Sequence, residues 1–356
     1  MTSQPIQLHL LPHARAIGLW LLVVAAMVGA MTVIGGVTRL TESGLSMVEW
    51  RPLIGALPPF SDGEWARVFA LYQTSPEYQK INSGMSLAEF KQIFWWEYIH
   101  RFWGRLIGLA YAAPLAFFWI KGWVPKALRG RMILLLALGG SQGVIGWWMV
   151  KSGLVDRPDV SHFRLAIHLG MAFIIAGALV WTALDFLSPR TPEAAPRGLR
   201  RMSWGVLGAL FFVIILGAFV AGTNAGMIYN TFPLMDGRLL PPDYAILTPW
   251  WRNSLESIGA IQFNHRWAAV LTTALIIALW LRARVSVLHS GQRQAPSVMA
   301  LLAIVQVGLG ITTLLSVVWI PLAALHQATA LLLFVAAVWT VWVFRGQTAP
   351  HGRKNR

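Results

Sequence analysis

The sequence predicts an all-α polytopic membrane protein whose eight transmembrane helices form two pseudo-symmetric four-helix bundles. Three observations predict it. Of 356 residues, 56% are hydrophobic and only 12% are charged, whereas an ordinary soluble domain carries about twice that charge. Apolar runs recur at the length of about 20 residues that crosses a bilayer. Motifs of the first half return, in order, in the second.

The spans are expected at about 16–37, 99–120, 131–151, 163–184, 203–223, 264–283, 297–318 and 321–344. The first lacks a small-residue cleavage site and is read as a retained span, not a removed leader. The second opens with EYIHRFWGRLIGLAY from Glu97, the third carries SQGVIGWW (Ser141 to Trp148) and the fourth RLAIHLGMAF (Arg164 to Phe173). The Pro-rich basic stretch from Leu187 to Arg201 then separates two units, 1–190 and 191–356. The fifth span repeats the Gly-Ala pair of the first (Gly29-Ala30, Gly217-Ala218). The sixth opens with QFNHRWAAVLTTALI from Gln262, the seventh carries VQVGLGIT (Val305 to Thr312) and the eighth PLAALHQATA (Pro321 to Ala330). His100 and His265 are 165 residues apart, Gln142 and Gln306 are 164 apart, and His168 and His326 are 158 apart. An even number of spans per unit makes this a parallel repeat about an axis along the membrane normal.

The N-terminus, the connections 2–3, 4–5 and 6–7 and the tail hold 16 of the 29 Lys and Arg, against two acids, Asp185 and Glu193. The opposite side holds 13 basic and 12 acidic residues. The positive-inside rule places both termini in the cytoplasm. The net charge of +15 is therefore a topology signal that also favours an anionic lipid bilayer, and no nucleic-acid partner is expected. Nineteen Trp suit interfacial belts. With no cysteine, disulfides, thiolate metal sites and Cys nucleophiles are excluded. Two long outer connections, Val37 to Tyr98 and Asn224 to Phe263, are expected to be functional or partly ordered.

Spans 2, 4, 6 and 8 all enter from the outer side. His100 and His265 are expected in the first turn of spans 2 and 6, with His168 and His326 about one turn deeper in spans 4 and 8. A single intramembrane His is readily explained as an interhelical hydrogen-bonding group. A repeated pair at matched depth asks for more. Two imidazoles on facing helices are what bis-His haem ligation requires, whereas zinc needs further ligands. His9, His13, His162, His289 and His351 fall in loops or tails and take no role. Gly104/Gly108 and Gly139/Gly143 form GxxxG pairs that favour close helix approach with or without a cofactor.

Arg101 and Arg266 follow the first histidine of each pair, with Arg105 and Arg164 nearby. They either meet haem propionates or, pointing about 100° from their neighbour, reach outer water and headgroups. Glu97 precedes His100 by three residues, and Gln262 takes its place in the second copy. A glutamate moves protons and stabilises positive charge; a glutamine does not. Glu97 is either an acid favoured at a helix start by the macrodipole or the mark of chemistry in one unit and electron transfer in the other. On the second reading, exchanging Gln262 for Glu is expected to be mild.

These residues resemble the haem A synthase family, in its proteobacterial and mitochondrial branch. The likeness covers nearly the whole chain: eight spans in two halves, EYIHR (Glu97 to Arg101), NHR (Asn264 to Arg266), His168, His326, GGVTRLTESGLSMVEW (from Gly35) and NTFPLM (Asn230 to Met235). It implies oxidation of the C8 methyl of haem O to the formyl of haem A, by successive hydroxylation and loss of water. It implies haem O bound through His100 and His168 with Glu97 beside it, and a resident haem b on His265 and His326. It also implies a bacterial inner membrane, haem O synthase and cytochrome oxidase assembly factors as partners, oxygen, and an electron-transfer partner; a homo-oligomer stays open. Some members carry an outer-loop cysteine pair. This chain has none, so a thiol role cannot operate here. The alternative is a di-haem b-type electron-transfer protein or quinol oxidoreductase, which leaves the Glu97/Gln262 difference without a reason. A repeat-built transporter would instead predict broken helices and polar sites at the midplane.

Overall fold

A computed structural model of the chain describes residues 8–50, 57–155, 158–189 and 193–346. The expected boundary at 190/191 and His351 lie outside the described residues. The helices are α1 (Ala14–Leu40), α2 (Asp62–Gln73), α3 (Pro76–Lys80), α4 (Leu87–Ile120), α5 (Arg129–Val150), α6 (His162–Leu187), α7 (Arg197–Gly222), α8 (Asn253–Glu256), α9 (Ile258–Val285), α10 (Ser290–Leu315) and α11 (Ile320–Arg345). Eight of these are long and apolar enough to cross a membrane: α1, α4, α5, α6, α7, α9, α10 and α11. They match the expected spans in order. The chain is an all-helical multi-pass membrane protein.

α1 packs on α4, α6 and α11, and α6 packs on α5, α7 and α11. α9 packs on α7 and α10, and α10 on α11. α6 and α11 are thus central, with α4 and α5 on one flank and α9 and α10 on the other. Lipid is as apolar as a leucine side chain, so such helices associate through tight packing and interhelical hydrogen bonds. Both operate here. A Cβ at Gly177 of α6 would press on Phe334 and Val338 of α11. Pro114 lies inside α4 and has no N–H for the carbonyl of Ala110, four residues earlier. The indole of Trp20 from α1 donates to that carbonyl at 2.8 Å. Trp103 of α4 donates back to the Met27 carbonyl of α1 at 2.9 Å.

The first long connection departs from expectation. α4 begins at Leu87, well ahead of position 99, because Ser86 and Glu89 form a capping box. Its extension packs with α2 and α3 around Trp65, Tyr72, Phe90, Phe94 and Tyr98 to make a helical cap. Glu97 and His100 therefore lie more than two turns inside the helix. A macrodipole effect fades within the first turn, so Glu97 is not a helix-start acid. His265 likewise lies in the third turn of α9, which starts at Ile258. The second connection is held by side chains. Asp243 accepts from the Gly259 N–H at 2.9 Å and from the Tyr229 hydroxyl at 2.6 Å. A Cβ at Gly259 would collide with that carboxylate.

The GxxxG pairs do not mediate the close approach expected of them. A Cβ at Gly104 would touch only Met31, at 3.4 Å, and one at Gly108, Gly139 or Gly143 would meet nothing within 4 Å.

Candidate functional site

His100 on α4 and His168 on α6 lie within electrostatic reach of each other, as do His265 on α9 and His326 on α11. Each ring faces a glycine of a neighbouring helix. A Cβ at Gly35 would sit 3.1 Å from His100 Nε2, one at Gly146 3.1 Å from His168 Cε1, one at Gly217 3.1 Å from His265 Cε1 and one at Gly310 3.0 Å from His326 Cε1. Any side chain at these points would push an imidazole aside. Sequence reasoning missed this set. Gly146 and Gly310 carry the same 164-residue spacing as Gln142 and Gln306, which could have found them. Gly35 could not be found that way: the repeat matches Gly217 to Gly29, which instead lies against Leu331.

Among the described residues no cluster of three or more His, Cys, Asp or Glu is placed to hold a metal ion. Each pair offers two nitrogen donors, so an iron held there would bring its other ligands with it, as the iron of a tetrapyrrole does. The site fits such a group. The Nδ1 atom of His168 is buried without a hydrogen-bond partner, and the four glycines keep space beside the rings. The repeated glutamines sit next to the second histidine of each pair, but differently. Gln142 donates to the backbone carbonyl of His168 at 3.2 Å. The Gln306 side-chain amide lies 3.2 Å from Nδ1 of the His326 ring. The same amide nitrogen lies 3.4 Å from Nε2, so it steadies the ring without selecting which nitrogen is free to act as a ligand.

Glu97 and Gln262 occupy matching, equally buried places, at 3% and 2% exposure. Each accepts from the arginine four residues on. Arg101 Nε donates to Glu97 Oε1 at 2.6 Å, and Arg266 Nη2 donates to Gln262 Oε1 at 2.9 Å. The guanidinium groups then pin the long connections. Arg101 donates to the carbonyls of Glu49 at 3.0 Å and Met47 at 2.8 Å. Arg266 donates to the carbonyls of Thr231, at 2.7 Å, and Tyr229. The amide of Gln262 adds two bonds of its own, to the carbonyls of Ala225 at 2.7 Å and Ile228 at 2.6 Å. A carboxylate has no N–H with which to copy them. The other Glu97 oxygen, Oε2, lies 3.9 Å from His100 Nδ1.

The hydrogen-bond partners of Arg101 and Arg266 are the residue four positions earlier and loop carbonyls, with both arginines partly exposed. Arg164 is turned away to the Trp148 carbonyl, at 2.6 Å, and lies over that indole. His162, given no role from sequence, contacts the Leu255 carbonyl at 2.9 Å and ties α6 to α8. Apolar grooves between α9 and α10 (Ile277, Trp280, Leu301) and between α6 and α7 (Ile167, Phe211, Ile215) contain none of the paired histidines.

Over residues 18–338 the chain matches the COX15-CtaA family, described as cytochrome oxidase assembly protein. It is 50% identical over 337 residues to a protein of Rhodospirillum centenum named Heme A synthase, covering 94% of this chain and 90% of that one. A Heme A synthase of Nitrosospira multiformis is 49% identical over 336 residues, 94% of each chain. One of Parvibaculum lavamentivorans is 50% identical over 329 residues, 92% of this chain and 94% of the relative.

Proposed function

This chain belongs to the COX15-CtaA family of cytochrome oxidase assembly proteins, and on that premise we propose that it converts haem O to haem A for cytochrome oxidase. One observation carries the assignment of roles: a half-buried histidine pair is written twice, and a buried carboxylate stands beside only one copy. The reading divides the chain into two four-helix units, supported by the packing of α1, α4, α5 and α6 on one side and of α7, α9, α10 and α11 on the other.

In the first unit His100 and His168 hold the substrate haem, and in the second His265 and His326 hold a resident haem b. A haem b held by His265 and His326 would supply an iron suited to single-electron transfer. The substrate's C8 methyl would be hydroxylated twice, each step a two-electron oxidation that draws on oxygen and an electron-transfer partner, and the resulting diol loses water to leave the formyl. Glu97 acts here as the proton-handling group. It is buried, 3.9 Å from His100 Nδ1, and its charge is balanced by Arg101. Positive charge that develops during oxidation meets a fixed carboxylate. Gln262 can do neither task. Arg101 and Arg266 hold the loops over the sites, and the N–H groups they have left are the candidates for propionates.

The chemistry calls for a haem O synthase upstream, a cytochrome oxidase assembly line downstream and an electron-transfer partner. The location is the bacterial inner membrane with both termini cytoplasmic, supported by the placement of Lys and Arg. The test is haem extraction from cells expressing the chain with a haem O synthase. Haem A or hydroxylated haem O beside haem B is expected; haem B alone would favour a di-haem electron carrier and overturn the reading.

A further inference from the structure

We propose that the interior of the first unit, where Gly104, Gly108, Gly139 and Gly143 lie, receives the isoprenoid tail of the substrate haem, and that bulkier residues at the matching places close the second unit to it. The proposal rests on the haem O reading above and deepens it. It starts from the repeat. At the 165-residue spacing that relates Glu97 to Gln262, Gly104 becomes Ala269 and Gly108 becomes Thr273. At the 164-residue spacing that relates Gln142 to Gln306, Gly139 becomes Ala303 and Gly143 becomes Val307. Four glycines in one unit thus stand against Ala, Thr, Ala and Val in the other.

The structure turns this difference into space. No atom lies within 4 Å of where a Cβ would stand at Gly108, Gly139 or Gly143, and all three are exposed. Ala303, in the place of Gly139, is fully buried at 0% exposure. The open positions on α5 share a helix face with packed residues. On α5, Met132, Gly139, Gly143 and Gly146 follow a spacing of seven, four and three, which is one helix face. One end of that face is fixed by Gly146 against the His168 ring, and the other by Met132, whose carbonyl accepts from Tyr111 of α4 at 2.9 Å. Tyr111 follows Gly104 by seven residues and shares its face of α4. Gly139 and Gly143 therefore lie between the His168 ring and the Tyr111–Met132 contact along α5.

The histidine end of this face already has the character of a ligand site. Nδ1 of His168 and Oε1 of Gln142 are buried there without hydrogen-bond partners. Below them the lining offers backbone and no charged side chain at the four glycines. That suits a flexible hydrocarbon chain, which asks for room and no polar contact. A haem without the tail would leave the space empty.

The test uses the purified full chain in lipid nanodiscs, with its resident haem, and the variants Gly143→Val, Gly139→Ala and the double change. Each is titrated with haem O and, separately, with haem B, which lacks the tail; absorbance reports binding at the first site. The double variant is expected to bind haem O more weakly by on the order of tenfold or more, with little change for haem B. Equal losses for the two haems, or no loss for either, would overturn the proposal. The added groups meet no neighbour and both residues favour helix over glycine, so the resident spectrum should persist; if the double variant fails to fold, Gly139→Ala alone gives the reading. A wild-type chain that binds haem O and yields no haem A would sink the synthase reading while leaving the tail selectivity measurable.

Discussion

The two loop clamps are built alike and hold unlike amounts. In the second unit Gln262 donates twice to the loop that Arg266 also grips, and the Gln306 amide meets the His326 ring. In the first unit Glu97 can only receive Arg101, the loop is held through that arginine alone at this point, and Gln142 leaves the His168 ring unmet. Each hydrogen bond of this kind contributes about 1 kcal/mol net, while buried polar atoms without partners occur in both units, Gln142 Oε1 and His168 Nδ1 in the first and Gln306 Oε1 in the second. The difference teaches that a duplicated scaffold can be tuned by amide against carboxylate; on the proposed reading, the second copy is tied shut around a haem it keeps and the first is left able to release the haem it binds. The residue proposed to handle protons, Glu97, lacks the amide with which Gln262 holds its own loop.

The largest effect should come from the ligands. His265→Ala or His326→Ala is expected to abolish the low-spin b-type spectrum of the purified chain, because one imidazole cannot supply both axial bonds. His100→Ala should leave that spectrum and lose haem O binding; an unchanged spectrum in either second-unit variant would break the comparison. Next, Glu97→Gln should cut haem A formation by about 10²–10⁴-fold, read by haem extraction, with the resident haem retained. Its reciprocal sharpens the contrast. The sequence suggests that Gln262→Glu is mild, yet the structure shows two carbonyls, of Ala225 and Ile228, that would lose their donor and face a carboxylate. Faster hydrogen exchange across 224–257 is expected, at a cost of about 1–3 kcal/mol for each stranded carbonyl.

A comparable effect belongs to the first cap and is tied to pH. Burial pushes the Glu77 carboxyl up to about 7, with Glu42 and Asp159 adding to the shift and the Tyr72 hydrogen bond and Arg39 opposing it. A carboxyl raised on folding is protonated in the folded cap. Its stabilisation is complete below the ordinary value near 4.5 and is lost as pH climbs through 7. Protection factors across 62–98, which divide out the intrinsic pH dependence of amide exchange, should therefore fall from pH 5 to pH 8, by on the order of a few kcal/mol of local stability, and Glu77→Gln should flatten the trend in protection. A flat trend in the unaltered chain would refute the assignment. The smallest effect is Gly139→Ala, expected to raise the melting temperature slightly, by at most about 1 kcal/mol of helix propensity. A lower melting temperature would mean that the space beside Gly139 is filled.

Much of this was legible in the chain. Long apolar runs specify all eight membrane helices, since a bilayer admits few other solutions. The histidines and glutamines announce themselves by recurring at nearly constant spacing. What stayed hidden depends on partners distant in sequence. Nothing local says that Trp65, Tyr72 and Phe94 would meet to extend α4 by three turns, or that Arg101 would reach back to Met47 and Glu49 rather than outward. The Ser86/Glu89 capping box was visible and went unused. The GxxxG pairs misled because a spacing rule for close packing cannot tell a filled face from an open one; only the distances around Gly139 and Gly143 can.

The contrast between keeping and releasing is measured most directly by haem transfer. The chain is loaded with haem O over its resident haem b and mixed with excess apomyoglobin as a haem sink, and the haem remaining on the protein is extracted over time. Haem O should leave while haem b stays. Departure of both at one rate, or of haem b first, would contradict the account.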